Sequence, residues 1–292
     1  MWAFLSLWSG IFDGIARGVI KKTNANFLIV ALGGIIFALP LYGAALFLDG
    51  VPEVMNNFWL IVFIHAVLLT AANIAMVRAH QLSPLILTVP YLSLTSVFLL
   101  VTSPWLRGGS PNVYGFLGVV LITIGLYLSN VSAKEIGILG PIRVFKKNKG
   151  SQLMLLVAII YSITANLDNL AIKSSSIFFY LLWDSIFVAF FLFILCLRFV
   201  AKKELKECFG NWQTLRPLSV FGAVTAMSVI PQCYAYGLAI VPYVISLKRS
   251  GVIAATIGGM IYFKEKEDAF TRVLGFLIAF GGATLITLFG IS

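Results

Sequence analysis

Residues 217–263 read PLSVFGAVTAMSVIPQCYAYGLAIVPYVISLKRSGVIAATIGGMIYF, and across these 47 positions Lys248 and Arg249 are the only charged side chains. One bilayer-crossing helix needs about 20 mostly apolar residues, so the stretch has the length of two. A cation in hydrocarbon costs about 2.5–3.5 kcal/mol on insertion scales. Two adjacent cations therefore need counter-charges, water or a bound solute. That makes the pair the first candidate for function.

The rest of the chain has the same character. It is 60% hydrophobic and 11% charged, where a soluble domain averages about 25% charged residues. This predicts a polytopic membrane protein. The formal net charge of +10 does not point to nucleic acid, because the basic residues fall in short loops, where they set orientation and meet anionic lipid. The chain opens with Met1-Trp2-Ala3-Phe4-Leu5, with no basic segment before it, which predicts a retained first span and no signal peptide. Cys196, Cys208 and Cys233 are odd in number and imply neither a disulfide framework nor a metal site.

Ten spans are expected, roughly at 1–20, 26–48, 58–78, 82–104, 111–129, 152–172, 176–199, 214–237, 239–263 and 271–290. The longest loop, roughly 130–151, is basic and lies mid-chain. The expected organisation is residues 1–130 as a first five-helix unit, 131–151 as a linker and 152–292 as a second unit. Of 21 Lys and Arg, 16 fall in one alternating set of loops. The other set holds Arg107 and Lys173, with Asp49 and Glu53. The positive-inside rule then puts the basic loops in the cytoplasm and, with ten spans, both termini outside.

The halves resemble each other. Ser83-Pro84 answers Val241-Pro242, Leu117-Gly118 answers Leu274-Gly275, Gly125 answers Gly282, Ser9 answers Ser162, and Asp13 answers Asn166. An odd number of spans per half makes the repeat inverted, an architecture that puts a transporter's site near the midplane between halves. The fold class expected is an all-α polytopic membrane protein of ten helices in two inverted five-helix repeats.

The run Ile245-Ser246-Leu247-Lys248-Arg249-Ser250, the later Phe263-Lys264-Glu265-Lys266, and the segment Leu82-Ser83-Pro84-Leu85 through Val89-Pro90-Tyr91-Leu92-Ser93-Leu94-Thr95 resemble the EamA family of the drug/metabolite transporter superfamily. Two EamA units would cover essentially the whole chain. The resemblance implies a central cavity lined by spans 1–4 and 6–9, with spans 5 and 10 at the periphery. Characterised relatives usually have cytoplasmic termini, whereas the charge bias here argues for the reverse. Trp105-Leu106-Arg107-Gly108-Gly109 stands where many members carry a Glu, so no role for that Glu carries over.

Within the spans, Ser6, Ser9, Asp13 and Arg17 share one helix face, and Asp13 and Arg17 can pair at i, i+4. Span 6 offers Ser162, Asn166, Asn169 and Lys173, with Asp168 about a third of a turn away. Span 8 carries Thr225, Ser228 and Gln232, then Tyr234 and Tyr236. Span 3 has His65 and Asn73, and span 7 has Asp184. The substrate-binding candidates are Lys248, Arg249, Asp13, Asn166, Gln232, Asn73 and Tyr234. The candidates for coupling or ion pairing are Asp13, Arg17, Asp168 and Asp184. Each has a plainer alternative. Intramembrane Ser, Thr and Asn often only join helices, Asp13–Arg17 can be a fixed structural pair, and Tyr234 and Tyr236 can be interface anchors. His65 reads as a hydrogen-bonded packing residue. Neighbouring residues on a helix point about 100° apart, so one of Lys248 and Arg249 is expected to face the cavity while the other locks a helix contact.

No HExxH, CxxC, GxSxG or phosphate-binding loop is present. No enzyme activity, cofactor or metal is expected. The reading is a secondary transporter or exporter of a small polar metabolite working by alternating access, its substrate anionic or zwitterionic. The alternatives are a flippase of a lipid-linked or amphipathic molecule and, less favoured, a membrane-embedded enzyme or scaffold. The expected partners are the small-molecule substrate and the lipid bilayer, with a homodimer left open and no nucleic acid. The expected location is the plasma (inner) membrane of a prokaryote.

Overall fold

The computed structural model describes residues 1–23, 25–83, 88, 91–130, 148–251 and 269–290. Among them the chain is all-helical, with no strand. The helices are α1 (Trp2–Lys22), α2 (Phe27–Ile36), α3 (Leu39–Asp49), α4 (Phe58–Leu82), α5 (Thr95–Trp105), α6 (Val113–Asn130), α7 (Lys149–Lys173), α8 (Ile177–Phe199), α9 (Lys202–Gly210), α10 (Trp212–Tyr236), α11 (241–251) and α12 (Ala269–Phe289). Among the described residues, six segments are long and apolar enough to cross a membrane: Trp2–Ile20, Phe27–Asp49, Phe58–Leu82, Lys149–Lys173, Ile177–Phe199 and Trp212–Tyr236. Shorter apolar helices cover Tyr91–Trp105, Val113–Leu128 and Leu274–Phe289. The basic linker as far as residue 147, Pro84, Pro90, Ala255, Thr256, Gly258 and the Phe263–Lys266 motif lie outside the described residues; the linker's last residues, from Lys149, already belong to α7.

Two local features depart from the span pattern. The second expected span is broken at Phe37–Ala38, between α2 and α3. Pro40 explains the break: it has no N–H to donate, and its ring meets the carbonyl four residues back. The expected loop after span 7 contains α9, a short amphipathic helix. Its Leu205 and Cys208 pack against the core, while Lys203 and Glu207 stay exposed 3.9 Å apart. Side-chain caps set several helix starts. Asn26, Asn148, Ser176 and Asn211 accept from the backbone N–H of Leu28, Ser151, Phe179 and Gln213, satisfying donors that a helix N-terminus leaves open.

The packing follows a definite pairing. α1 runs along α10, α4 along α7, and α6 along α12, while α8 meets α2, α3 and α4, and α5 meets α7. Apolar contacts gather in several clusters, among them one with Ile29, Leu192, Cys196 and Leu218 and another with Phe58, Phe179, Tyr180 and Cys233.

Glycines permit the closest crossings. A Cβ on Gly125 of α6 would strike the Gly275 carbonyl and stand 2.5 Å from the Ala279 amide nitrogen of α12. On the same pair, a Cβ on Gly282 would lie 2.6 Å from the Gly118 carbonyl oxygen. On α1 and α11, Gly10 faces the Lys248 carbonyl and Gly251. Lipid tails supply no hydrophobic drive between helices, so such close approach is what holds them. Replacing Gly125 with Leu should lower stability by about 1–3 kcal/mol through overpacking. Gly18→Ala should be tolerated, since nothing lies within 4 Å of that Cβ position. Thermal unfolding of the two variants in one detergent checks the contrast.

Candidate functional site

α1, α2, α3, α4, α5, α7, α8, α10 and α11 together line one central cavity. Among the described residues, α6, α9 and α12 contribute nothing to its wall. Its volume, measured as space open to the centre of a water molecule, is about 180 Å³. One water needs about 10–15 Å³ on that measure, so the cavity takes a solute of several heavy atoms.

The first polar network surrounds the cation pair. Lys248 and Arg249 are 7% and 5% exposed, and both line the cavity. The expectation that only one of them could do so is therefore corrected. A long flexible side chain on each lets two neighbouring positions converge despite the 100° between them. The Lys248 Nζ donates to Gln232 Oε1 at 2.5 Å, and the Gln232 amide donates to the Tyr236 hydroxyl at 2.6 Å. The Arg249 Nη1 donates to Asp13 Oδ2 at 3.1 Å. Arg17, one turn beyond Asp13 on α1, donates to the same oxygen. Asp13 thus answers two guanidinium groups from helices far apart in sequence. The Arg249 guanidinium also lies 5.9 Å from the Tyr161 ring centroid, within cation–π range.

These donors are not all used. Arg17 Nε and Nη1 and Arg249 Nε are buried without a hydrogen-bond partner among the described residues. An unfilled charged donor is expensive in a desolvated place. A planar fork with open N–H groups matches the geometry of a carboxylate or phosphate.

The second network is built on α4, α7 and α8. His65 is 2% exposed. Its Nδ1 lies 2.6 Å from Asp184 Oδ1, and its Nε2 lies 2.8 Å from Asp168 Oδ1. The Tyr180 hydroxyl donates to Asp168 and stands 3.3 Å from both ring nitrogens. His65 is hydrogen-bonded and buried, as the sequence suggested, but it stands at the cavity wall rather than in a packed core.

The remaining candidates divide. Asn73 and Gln232 line the cavity with Asp13, Arg17, Asp168 and Asp184. Asn166 does not. It is buried against α5, where its amide donates to Thr102 Oγ1 at 3.3 Å and to the Ser162 carbonyl at 2.7 Å. The row Ser162–Asn166 is thus a helix-contact face, and Tyr161, Thr164 and Asp168 form the cavity face of α7. Tyr234 also lies off the cavity; it is 45% exposed and packs edge-on against Phe178. Ser9 and Ser228 bind each other across α1 and α10. The wall includes Tyr42, Tyr161 and Tyr180, none of which the sequence marked. Their only signal there is helical spacing to a polar neighbour, as for Tyr161 and Tyr180, each one turn from a polar residue of the wall.

Asp13→Asn should leave Arg17 and Arg249 buried without a counter-charge and lower stability by about 3–5 kcal/mol. Adding Arg249→Gln should recover part of that loss, because the two positions are in direct contact. A double-mutant cycle of thermal unfolding measures it.

No family model and no curated protein matches the chain. Its fold is shared with a solved structure described only as "Crystal structure of protein", at a TM-score of 0.73 and 14% identity over 99% of this chain and 96% of that one.

Proposed function

We propose that the protein is a secondary transporter of a small polar metabolite with an anionic or zwitterionic charge pattern, a member of the EamA family of drug/metabolite transporters. The observation that carries this reading is the cavity wall of Arg17, Lys248 and Arg249, whose buried guanidinium donors are only partly answered by Asp13. A carboxylate or phosphate entering the cavity would meet the three cations at its wall, and a turn of the Arg17 and Arg249 side chains would bring their unpartnered N–H groups, now buried, onto it. Asp168 and Asp184, together with Asp13, give the cavity an acidic complement for an ammonium group.

The proposed architecture is ten spans in two inverted units, 1–130 and 152–292. The packing supports it: exchanging the units maps α1 with α10 onto α7 with α4, and α6 with α12 onto itself. The α5–α7 contact corresponds to the Gly10–Gly251 contact of α1 with α11. Networks that join α1 to α11, and α4 to α7 and α8, are what alternating rocking of two units would remake.

A thermal-shift screen with glycine, glutamate and inorganic phosphate, followed by uptake into proteoliposomes, tests the function. At least one probe should stabilise the protein and be taken up. Arg249→Gln should weaken its binding by about 10-fold or more, since a hydrogen bond to a charged group is worth about 1.5–3 kcal/mol. Normal uptake by both Arg249→Gln and Lys248→Met would remove the pair from the mechanism.

The proposed location is a prokaryotic plasma membrane, with the basic loops cytoplasmic and the termini outside. Lys203, 87% exposed on α9, reports on this. In a Lys203→Cys protein the new thiol should react with an impermeant maleimide only after the cells are opened. Native Cys208 should react more slowly, because burial, and then the carboxylates of Glu204 and Glu207, push its thiol up.

A further inference from the structure

The geometry assigns a proton-binding site to Asp184–His65–Asp168, a triad shared between the two halves of the chain, and we propose that the proton it holds is the coupling ion of the transporter. The proposal rests on the transport reading for its role, but the proton itself is a separate and separately measurable claim.

The argument is one of donors and acceptors. Both ring nitrogens of His65 face a carboxylate oxygen, at 2.6 Å and 2.8 Å. A neutral imidazole has one N–H and one lone pair. If both carboxylates were ionised, the lone pair would point at a negative oxygen across one of these contacts. Both contacts become hydrogen bonds in only two ways. Either the ring is an imidazolium that donates twice, or the ring is neutral and one carboxyl group is protonated and donates to it. In each case the triad carries one proton more than a neutral histidine between two carboxylates, and its formal charge is −1. Release of that proton to cavity water takes the charge to −2 and turns one attractive contact into a repulsive one.

That change acts between the halves. His65 sits on α4, while Asp168 and Asp184 sit on α7 and α8. Losing the proton loosens α4 from one of its two partners. All three side chains line the cavity, so solute and proton reach the same space. Around the triad stand Tyr180 on α8, Tyr161 on α7, Tyr42 on α3, and Cys233 and Tyr236 on α10. Lys248 and Arg249 share the cavity with Asp13 and Arg17. The Tyr180 hydroxyl spends its proton on Asp168, so it does not supply the missing one.

The test uses full-length protein in lipid nanodiscs, labelled with ¹⁵N-histidine. His65→Gln separates the signal of His65 from that of His80. The expected spectrum at neutral pH has both His65 nitrogens protonated, or one protonated together with an infrared carboxyl band that disappears in Asp184→Asn or in Asp168→Asn. A neutral ring beside two ionised carboxylates overturns the proposal. The same protein in proteoliposomes is then given an imposed gradient of about one pH unit, worth about a tenfold concentration ratio per coupled proton. With glycine, glutamate and inorganic phosphate as probes, wild type should reach a steady-state accumulation or depletion of about that size. In Asp184→Asn, whose amide imitates a permanently protonated acid, the ratio should fall to unity. Slow turnover alone does not change a steady-state ratio, so a merely damaged variant would still reach the wild-type value. A ratio unmoved in Asp184→Asn overturns the coupling role. A wild-type protein inert towards all three probes counts against the transport reading, and the proton site is then decided by the nitrogen spectrum alone.

Discussion

Charge neutralisation inside an apolar bundle is the constraint on which the rest of this structure depends. Asp13, Arg17, His65, Asp168, Asp184, Lys248 and Arg249 all face one cavity enclosed by apolar helices. Left unpaired, each would cost several kcal/mol of desolvation, a large fraction of the whole margin of folding. The protein resolves this with two networks. One gathers three cations around Asp13 and Gln232. The other clamps an imidazole between two acids. Each network crosses between helices of the two halves, so electrostatic satisfaction and the docking of the halves are one requirement.

The close helix crossings serve that arrangement. Gly10 lets α1 approach the backbone of α11 at Lys248, which brings Asp13 within reach of Arg249. The α6–α12 pair, held by Gly118, Gly125 and Gly282, stands outside the cavity wall. It leaves the remaining helices to surround the polar space. The Pro40 break in the second span has a related consequence, since Gly34 and Ile35 before it and Tyr42 after it all reach the cavity.

Much of the site was legible before the fold was known, and the reasons for the exceptions are physical. Lys248, Arg249, Asp13, Arg17, Asp168 and Asp184 stood out because ions in apolar segments are costly wherever they fall. Asn166 misled because an amide on a polar helix stripe looks the same whether it binds a neighbouring helix or a solute. Tyr161 and Tyr180 were invisible because an aromatic residue in an apolar span is ordinarily packing material. His65 was read as a satisfied packing residue, and it is satisfied, but its partners are 119 residues away at Asp184 and on α7 at Asp168.

The sequence by itself determined the helical class, the approximate extent of the apolar segments, the uneven distribution of basic loops and the set of ions that must be neutralised. These follow from residue solubility and periodicity, which are local. Only the tertiary structure decided which acid meets which base. Arg249 reaches Asp13 across 236 residues, and both cations of the opening pair turn to the same cavity. Such pairing depends on the rotation and depth of each helix against its neighbours, and those are set by packing between segments that no local pattern records.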